Sequence, residues 1–378
     1  MSLDKLLEGQ LEFMQDHFNV TAISADKDSL EALGKERGFS TFHVEMTRQI
    51  TPISDLKAVF KLYNYLKKYQ PSIVHTHTPK AGIVGMLAAK LAKVPHRLHT
   101  VAGLPLMEAT GVKRKVLDFV EKTTYKLATK VYPNSKGLYD FIVAEKLAQP
   151  EKLKIIANGS SNGIDSTYFD PTSYSASRFT LRKELQIPQE SFVFVFVGRL
   201  VGDKGINELV AAFEKLDGKD ERIENREKRL LLVGPFETEL DPLKAETLQA
   251  IENNPNIISV GYQLDVRPYF AAADALVFPS YREGFPNVVM QAGAMGLPCI
   301  VTDINGCNEI IIPNENGIII PPKNTEALVQ AMKVLITDKS LYKKLESNAR
   351  FKITSRFERQ QVWDALLEEY QCLLKGDK

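Results

Sequence analysis

The sequence has little of what cross-links or anchors a chain. Its three cysteines, Cys299, Cys307 and Cys372, are odd in number and have no ligand-like spacing. That excludes a disulfide framework or a cysteine-based zinc site and suits a reduced, cytosolic chain. No apolar run approaches the ~18 residues that span a bilayer, and the run Phe192–Val197 is only strand-sized. The opening Leu3-Asp4-Lys5-Leu6-Leu7-Glu8 is charged throughout, unlike a signal peptide. Neither sign of charge dominates: 48 basic against 47 acidic residues leave +1, which argues against a dedicated nucleic-acid binder. There is no solenoid-type repeat of ~20–50 residues. What is present, 44% hydrophobic and 25% charged residues, is the balance of a soluble globular protein. A chain of 378 residues exceeds one ordinary core, so two domains are expected.

The near-neutral total conceals an asymmetry. Residues 1–170 hold 23 Lys/Arg and 18 Asp/Glu (+5), and the remainder holds 25 and 29 (−4). Short β-branched runs alternate with helical stretches throughout, as in α/β folds with parallel sheets. Strands are expected at 20–24, 41–44, 73–77, 97–101, 130–133 and 154–157, then at 192–198, 230–234, 257–261, 275–279, 299–302 and 317–320. The polar stretch from Asn162-Gly163-Ile164-Asp165 to Ser177 reads as the seam. This predicts an N-terminal domain over 1–170, a C-terminal domain over 175–355, and a last helix over 356–378 that packs back, with Phe357, Val362 and Leu366 facing inward. The first half opens with an amphipathic helix (Leu6, Leu7, Leu11, Phe13, Met14, Phe18), whereas a doubly wound unit opens with a central strand. Either the fold begins with a helix and this sheet is built differently, or the start lies about a dozen residues late, after that strand.

Three polar turns follow strands in the second half. Gly198-Arg199-Leu200-Val201-Gly202-Asp203-Lys204-Gly205 combines glycines, which let the backbone approach an anion, with two cations ahead of a helix N-terminus. The ensemble suits a diphosphate, although it matches neither the dinucleotide fingerprint nor the P-loop. An ordinary strand-to-helix turn with two surface cations fits the same octet. In Pro279 to Asn287, Glu283 is placed to accept hydrogen bonds from sugar hydroxyls. The amides of Gly284, Phe285 and Asn287 could donate, while a plain helix-start carboxylate is the bland alternative. Thr302 to Glu309 forms the third turn.

Together with Ala292-Gly-Ala-Met-Gly-Leu-Pro298, Thr76-His77-Thr78-Pro79-Lys80-Ala81-Gly82 and His99-Thr100-Val101-Ala102-Gly103-Leu104-Pro105, these motifs resemble the family-four retaining glycosyltransferases of the GT-B fold, in their bacterial capsule and O-antigen branch. The resemblance runs from about residue 20 to the C-terminus. It implies two Rossmann-like doubly wound parallel-sheet domains facing across a cleft, with the donor in the C-terminal domain and the acceptor in the N-terminal one. It implies that Arg199 and Lys204 hold the donor diphosphate, that Glu283 contacts the donor sugar and that His99 lines the donor-sugar site. Donor-side residues are then Gly198, Arg199, Lys204, Glu283, Gly284, Phe285, Pro286, Asn287 and Gln291. Acceptor-side residues are His77, Lys80 and Gly103. Two features depart from the family pattern: Gln291 stands where a second Glu usually binds ribose, and the opening strand with its glycine loop is missing.

The implied activity is retaining transfer of a hexose or N-acetylhexosamine from a nucleotide-diphosphate sugar, expected to be UDP-linked, to a lipid-linked saccharide in capsular or surface polysaccharide synthesis. The rivals are a nucleotide-sugar epimerase of the same fold and a non-catalytic sugar-nucleotide-binding protein. No cofactor and no metal are expected; Asp26-Lys27-Asp28 reads as a turn. His75 and His77 alternate on a strand, and a metal pair there is disfavoured. Cations at Lys113, Arg114, Lys115, Lys122, Lys126 and Lys130 beside Val116, Leu117, Phe119 and Val120 suggest contact with anionic lipid. The location is then peripheral, on the inner face of the cytoplasmic membrane, with no nucleic-acid partner.

Overall fold

A computed structural model describes residues 6–47, 51–107, 109–216, 227–237, 239 and 241–376. Leu3, Asp4 and Lys5 of the charged start lie outside the described residues. The chain forms two compact units, Met1–Gly163 with Arg359–Lys378, and Ile164–Glu358. The division falls at Gly163, ahead of the 170 boundary drawn from composition. On return it falls at Glu358. Phe357 therefore belongs to the second unit, stacked edge-on against Phe285 at 5.3 Å, and the last helix begins at Arg359.

The second unit is built on six parallel strands: β6 (Phe192–Val197), β7 (Lys228–Val233), β8 (Ile257–Ser259), β9 (Ala275–Phe278), β10 (Cys299–Thr302) and β11 (Gly317–Ile320). Their order across the sheet is β11-β10-β9-β6-β7-β8, the doubly wound arrangement whose direction reverses between β6 and β9. Such a sheet is covered on both faces, so its strands are apolar on both. In β6 the alternating Phe and Val are all buried except Val197, and each phenylalanine contributes on the order of 2–3 kcal/mol by burial. Helices are started by side-chain caps: Asn324 accepts from Ala327 N at 2.9 Å, and Asp338 from Leu341 N at 2.9 Å.

The first unit holds β1 (Thr21–Ser24), β2 (Ser40–His43), β3 (Ile73–Thr76), β4 (His96–Val101) and β5 (Lys130–Pro133). All pairings are parallel, but among the described residues they fall into two groups, β1-β2 and β3-β4-β5, rather than one doubly wound sheet. Residues 154–157 form no strand; the chain there contributes only a bridge from Leu153 to Val131. The opening segment gives the short helix Gln10–Gln15, which buries Met14. Met14 packs with Leu98, Tyr132 and Leu366, the last brought by the C-terminal helix Arg359–Lys375. Phe13 stacks on Trp363, ring centroids 5.3 Å apart.

Candidate active site

In an open α/β sheet, ligands bind beyond the carboxyl ends of the strands at the reversal point. Here that point lies between the turn after β6 and the turn after β9, on hydrogen-bonded neighbours. The first turn runs through the short 3-10 segment Gly202–Lys204 to Gly205 and the helix Ile206–Leu216. Gly205 has φ 71°, and a Cβ on it would lie 2.2 Å from the Pro279 carbonyl oxygen. Only glycine lets this turn seat on the end of β9. Tyr281 N then donates to Asp203 O at 2.9 Å, joining the two turns.

That junction brings Lys204 to Glu283 as an ion pair, each side chain 16% exposed. Ser280 Oγ donates to the same oxygen, Oε1, at 2.9 Å. No described residue hydrogen-bonds Oε2, so half of a carboxylate with roughly four acceptor sites remains for a ligand. The third turn straps the second: Asn305 Nδ2 donates to the carbonyls of Glu283 (3.0 Å) and Gly284 (2.7 Å), and Thr302 Oγ1 to that of Ser280. Arg199 sits more openly at the rim, paired with Glu237, and Arg282 pairs with Asp203 at 2.9 Å.

The glycine amides do something other than expected. Those of Gly198, Gly202 and Gly205 donate to the carbonyls of Val233, Asp241 and Gly202, so these glycines shape the turn and offer no amide cradle for an anion. Phe285 is likewise a core residue, 7% exposed. Pro286 precedes the helix Asn287–Ala294, with Asn287 exposed and Gln291 half-buried one turn on.

In the first unit, His77 follows β3 and His99 lies within β4. Thr76 Oγ1 bonds His99 Nδ1 at 2.7 Å, and His99 is 2% exposed. Gly82 permits this: a Cβ there would stand 2.7 Å from His99 Cε1. His75 is fixed behind them by Tyr370 Oη (2.5 Å) and Thr100 Oγ1 (2.8 Å). Burial lowers the pKa of His77 to about 4. Burial, helped by the charge of His77, lowers that of His99 to about 3. Both rings are therefore neutral at pH 7, available as hydrogen-bonding partners rather than charges. His77, His99, Thr100 and Gly103 line one cavity of about 160 Å³. Lys80 does not line it, being held by Asp55 at 2.6 Å.

Sequence reasoning missed the Glu237 and Asp203 partners and the buried carboxyl of Glu121 on the cavity wall. A signal for Glu121 existed: it shares the inward helical face with Thr124, Tyr125 and Ala128, all buried. Reading it within a basic surface helix hid that spacing.

Residues 177–352 match the family described as Glycosyl transferases group 1, and residues 12–159 match the Glycosyl transferase 4-like domain. A capsular polysaccharide biosynthesis glycosyltransferase, CapM of Staphylococcus aureus, is 32% identical over 98% of this chain and 94% of its own. The chain belongs to the group 1 glycosyltransferases. A further relative is the Escherichia coli UDP-Gal:alpha-D-GlcNAc-diphosphoundecaprenol alpha-1,3-galactosyltransferase, 30% identical over 90% of this chain and 86% of its own. HepE from Anabaena, solved in complex with UDP, superposes with a TM-score of 0.79 at 19% identity, over 96% of this chain and 94% of that one. The fold of this glycosyltransferase is thus GT-B, and its two signature turns are those that meet at the β6–β9 reversal.

Proposed function

We propose that this glycosyltransferase is retaining and metal-independent, and moves a hexose or N-acetylhexosamine from a UDP-linked donor to a lipid-diphosphate-linked saccharide of a capsular or related surface polysaccharide. The observation that carries the reading is the Lys204–Glu283 pair at the β6–β9 reversal, with one carboxylate oxygen bonded by no described residue and Arg199 at the rim. The names of the Staphylococcus aureus and Escherichia coli relatives support the pathway and the lipid-diphosphate acceptor, and the Anabaena complexes support UDP. In the reaction, an acceptor hydroxyl oxygen bonds to the anomeric carbon on the face from which the diphosphate departs. The carbon–oxygen bond to phosphate breaks, and the hydroxyl proton passes to the departing phosphate oxygen. Arg199 and Lys204 stabilise the charge growing there, and Glu283 Oε2 accepts from a hydroxyl of the transferred sugar. His99, neutral and held by Thr76, offers a hydrogen-bonding partner for a sugar hydroxyl. Gln291 holds the ribose.

The enzyme works at the inner face of the cytoplasmic membrane as a peripheral protein. No helix among the described residues is long and apolar enough to cross a membrane. Val112 and Phe119 are 79% and 70% exposed beside Lys113, Lys115 and Lys122, and Ile53, Leu56 and Phe60 are exposed beside Lys57 and Lys61. The helices Pro52–Tyr69 and Gly111–Leu127 that carry them both pack on the helix Pro79–Leu91. Exposed apolar residues interleaved with lysines suit an anionic interface. Arg114 drops out of the basic face, because Asp118 and Glu145 hold it.

The test is transfer from a panel of UDP-sugars to a short-chain lipid-diphosphate N-acetylglucosamine, with EDTA present and product anomeric configuration read by NMR. A product of inverted configuration, activity abolished by EDTA, or conversion of the donor alone to its epimer each refutes part of the reading.

A further inference from the structure

Glu121 is a carboxyl that the signature motifs leave without a task. It is 3% exposed and lines the cavity of about 160 Å³ beside His77, His99 and Gly103. Its polar neighbour is the buried Tyr125 hydroxyl. His77 lines the same void, and its Nδ1 is buried with no hydrogen-bond partner among the described residues. Burying polar groups with nothing to bond is unfavourable, and burial accordingly raises the carboxyl pKa of Glu121. Glu121 and His77 both line this space, which has room for a sugar ring rather than one ordered water.

The chemistry of the wall narrows the ligand. An anionic group would face the carboxyl of Glu121. No group of three His, Cys, Asp or Glu side chains among the described residues is placed to hold a metal ion. A hydroxyl both donates and accepts, so a polyhydroxylated ring can satisfy Glu121 and His77 together. We propose that Glu121 is a specificity-determining residue that hydrogen-bonds a hydroxyl of a neutral pyranose held in the His77–His99 cavity. The proposal rests on the transferase reading above. The ring is either the transferred sugar or the terminal sugar of the acceptor, and the test separates them.

The full chain and its Glu121→Ala and Glu121→Gln variants are compared for affinity toward UDP and a UDP-sugar, and for KM toward alkyl-diphosphate N-acetylglucosamine. Loss of a bond to a buried carboxyl should weaken one sugar-bearing ligand tenfold or more in Glu121→Ala, with UDP affinity unchanged. A rise confined to the UDP-sugar assigns the transferred sugar, and one confined to the acceptor assigns the acceptor sugar. Monodeoxy analogues guard against a merely structural role. The analogue that binds wild type poorly should bind Glu121→Ala no worse than its parent sugar does. Folding is checked by melting temperature, and Glu121→Gln, which keeps the shape, serves if the alanine variant fails to fold. Folded variants with both sugar ligands within twofold of wild type overturn the proposal alone. A wild-type protein that neither binds UDP nor transfers sugar overturns the reading beneath it as well.

Discussion

Replacing Lys204 with methionine separates the stability of the donor turn from its chemistry. The ammonium contacts Glu283 in a pair only 16% exposed on each side, so its loss leaves a largely buried carboxylate bonded, among the described residues, by Ser280 alone. An unsatisfied group of this kind costs about 1–3 kcal/mol, taken toward the lower half because solvent still reaches it. For a unit of this size that lowers Tm by roughly 2–8 °C. The catalytic loss is of different origin. Removing one preorganised charge from a departing diphosphate costs on the order of 10²–10³ in turnover. Adding Glu283→Gln to Lys204→Met therefore discriminates, since an amide carries no charge to leave unpaired. The double variant should recover most of the lost Tm and none of the lost turnover. Thermal melts and steady-state kinetics on the four proteins complete the cycle. Lys204→Met retaining more than half of wild-type kcat/KM would refute the diphosphate role. A double variant melting no higher than Lys204→Met would refute the orphaned-carboxylate argument.

Four further outcomes follow from the same geometry. Because His77 and His99 titrate near 4 and 3 when folded against about 6.5 when unfolded, their stabilisation is complete above pH 6.5 and is lost as pH falls toward 3–4, by up to about 1.4 kcal/mol per pH unit each. The single tryptophan, Trp363, lies in the same unit, so its fluorescence should report lower urea midpoints at pH 5 than at pH 7, with a smaller drop in His77→Asn. Gly205→Ala should lower donor affinity at least tenfold, because a Cβ 2.2 Å from the Pro279 carbonyl forces the first turn off β9; wild-type UDP affinity would contradict the seating argument. Gln291→Ala should raise donor KM a few-fold with kcat little changed, since a ribose contact acts on ground and transition states alike; an unchanged KM and Kd remove it from the site. Changing Lys113, Lys115 and Lys122 together to Gln, or raising salt, should reduce co-sedimentation with anionic vesicles; indifference to both removes the membrane assignment.

The parallel strands of the second unit were legible because burial on both faces imposes a local signature, continuous apolar runs such as Phe192–Val197 ended by glycine. The reversal point was not. Strand order depends on which runs pair, and no run encodes its neighbour; only the pairing of β6 with β9 brought the two polar turns together. The first unit was read less well. Residues 154–157 carry a strand-like pattern but make a single bridge at their margin, and Phe357, periodic with the last helix, packs in the other unit against Phe285.

At the site, residue types at strand ends pointed to Lys204 and Glu283, because diphosphate and sugar binding need cations and a carboxylate, and the choice of His99 came from the family resemblance. Tertiary structure alone decided their states. It paired Lys204 with Glu283 and Arg199 with Glu237, engaged the Gly198, Gly202 and Gly205 amides, and tied Lys80 to Asp55. It also turned Glu121 from one charge on a basic helix into a buried wall of the histidine cavity. The reason is physical: helical and strand periodicity are local properties that a sequence carries on its face. Burial, pairing and protonation are set by groups tens to hundreds of residues away, which only the folded chain brings within reach.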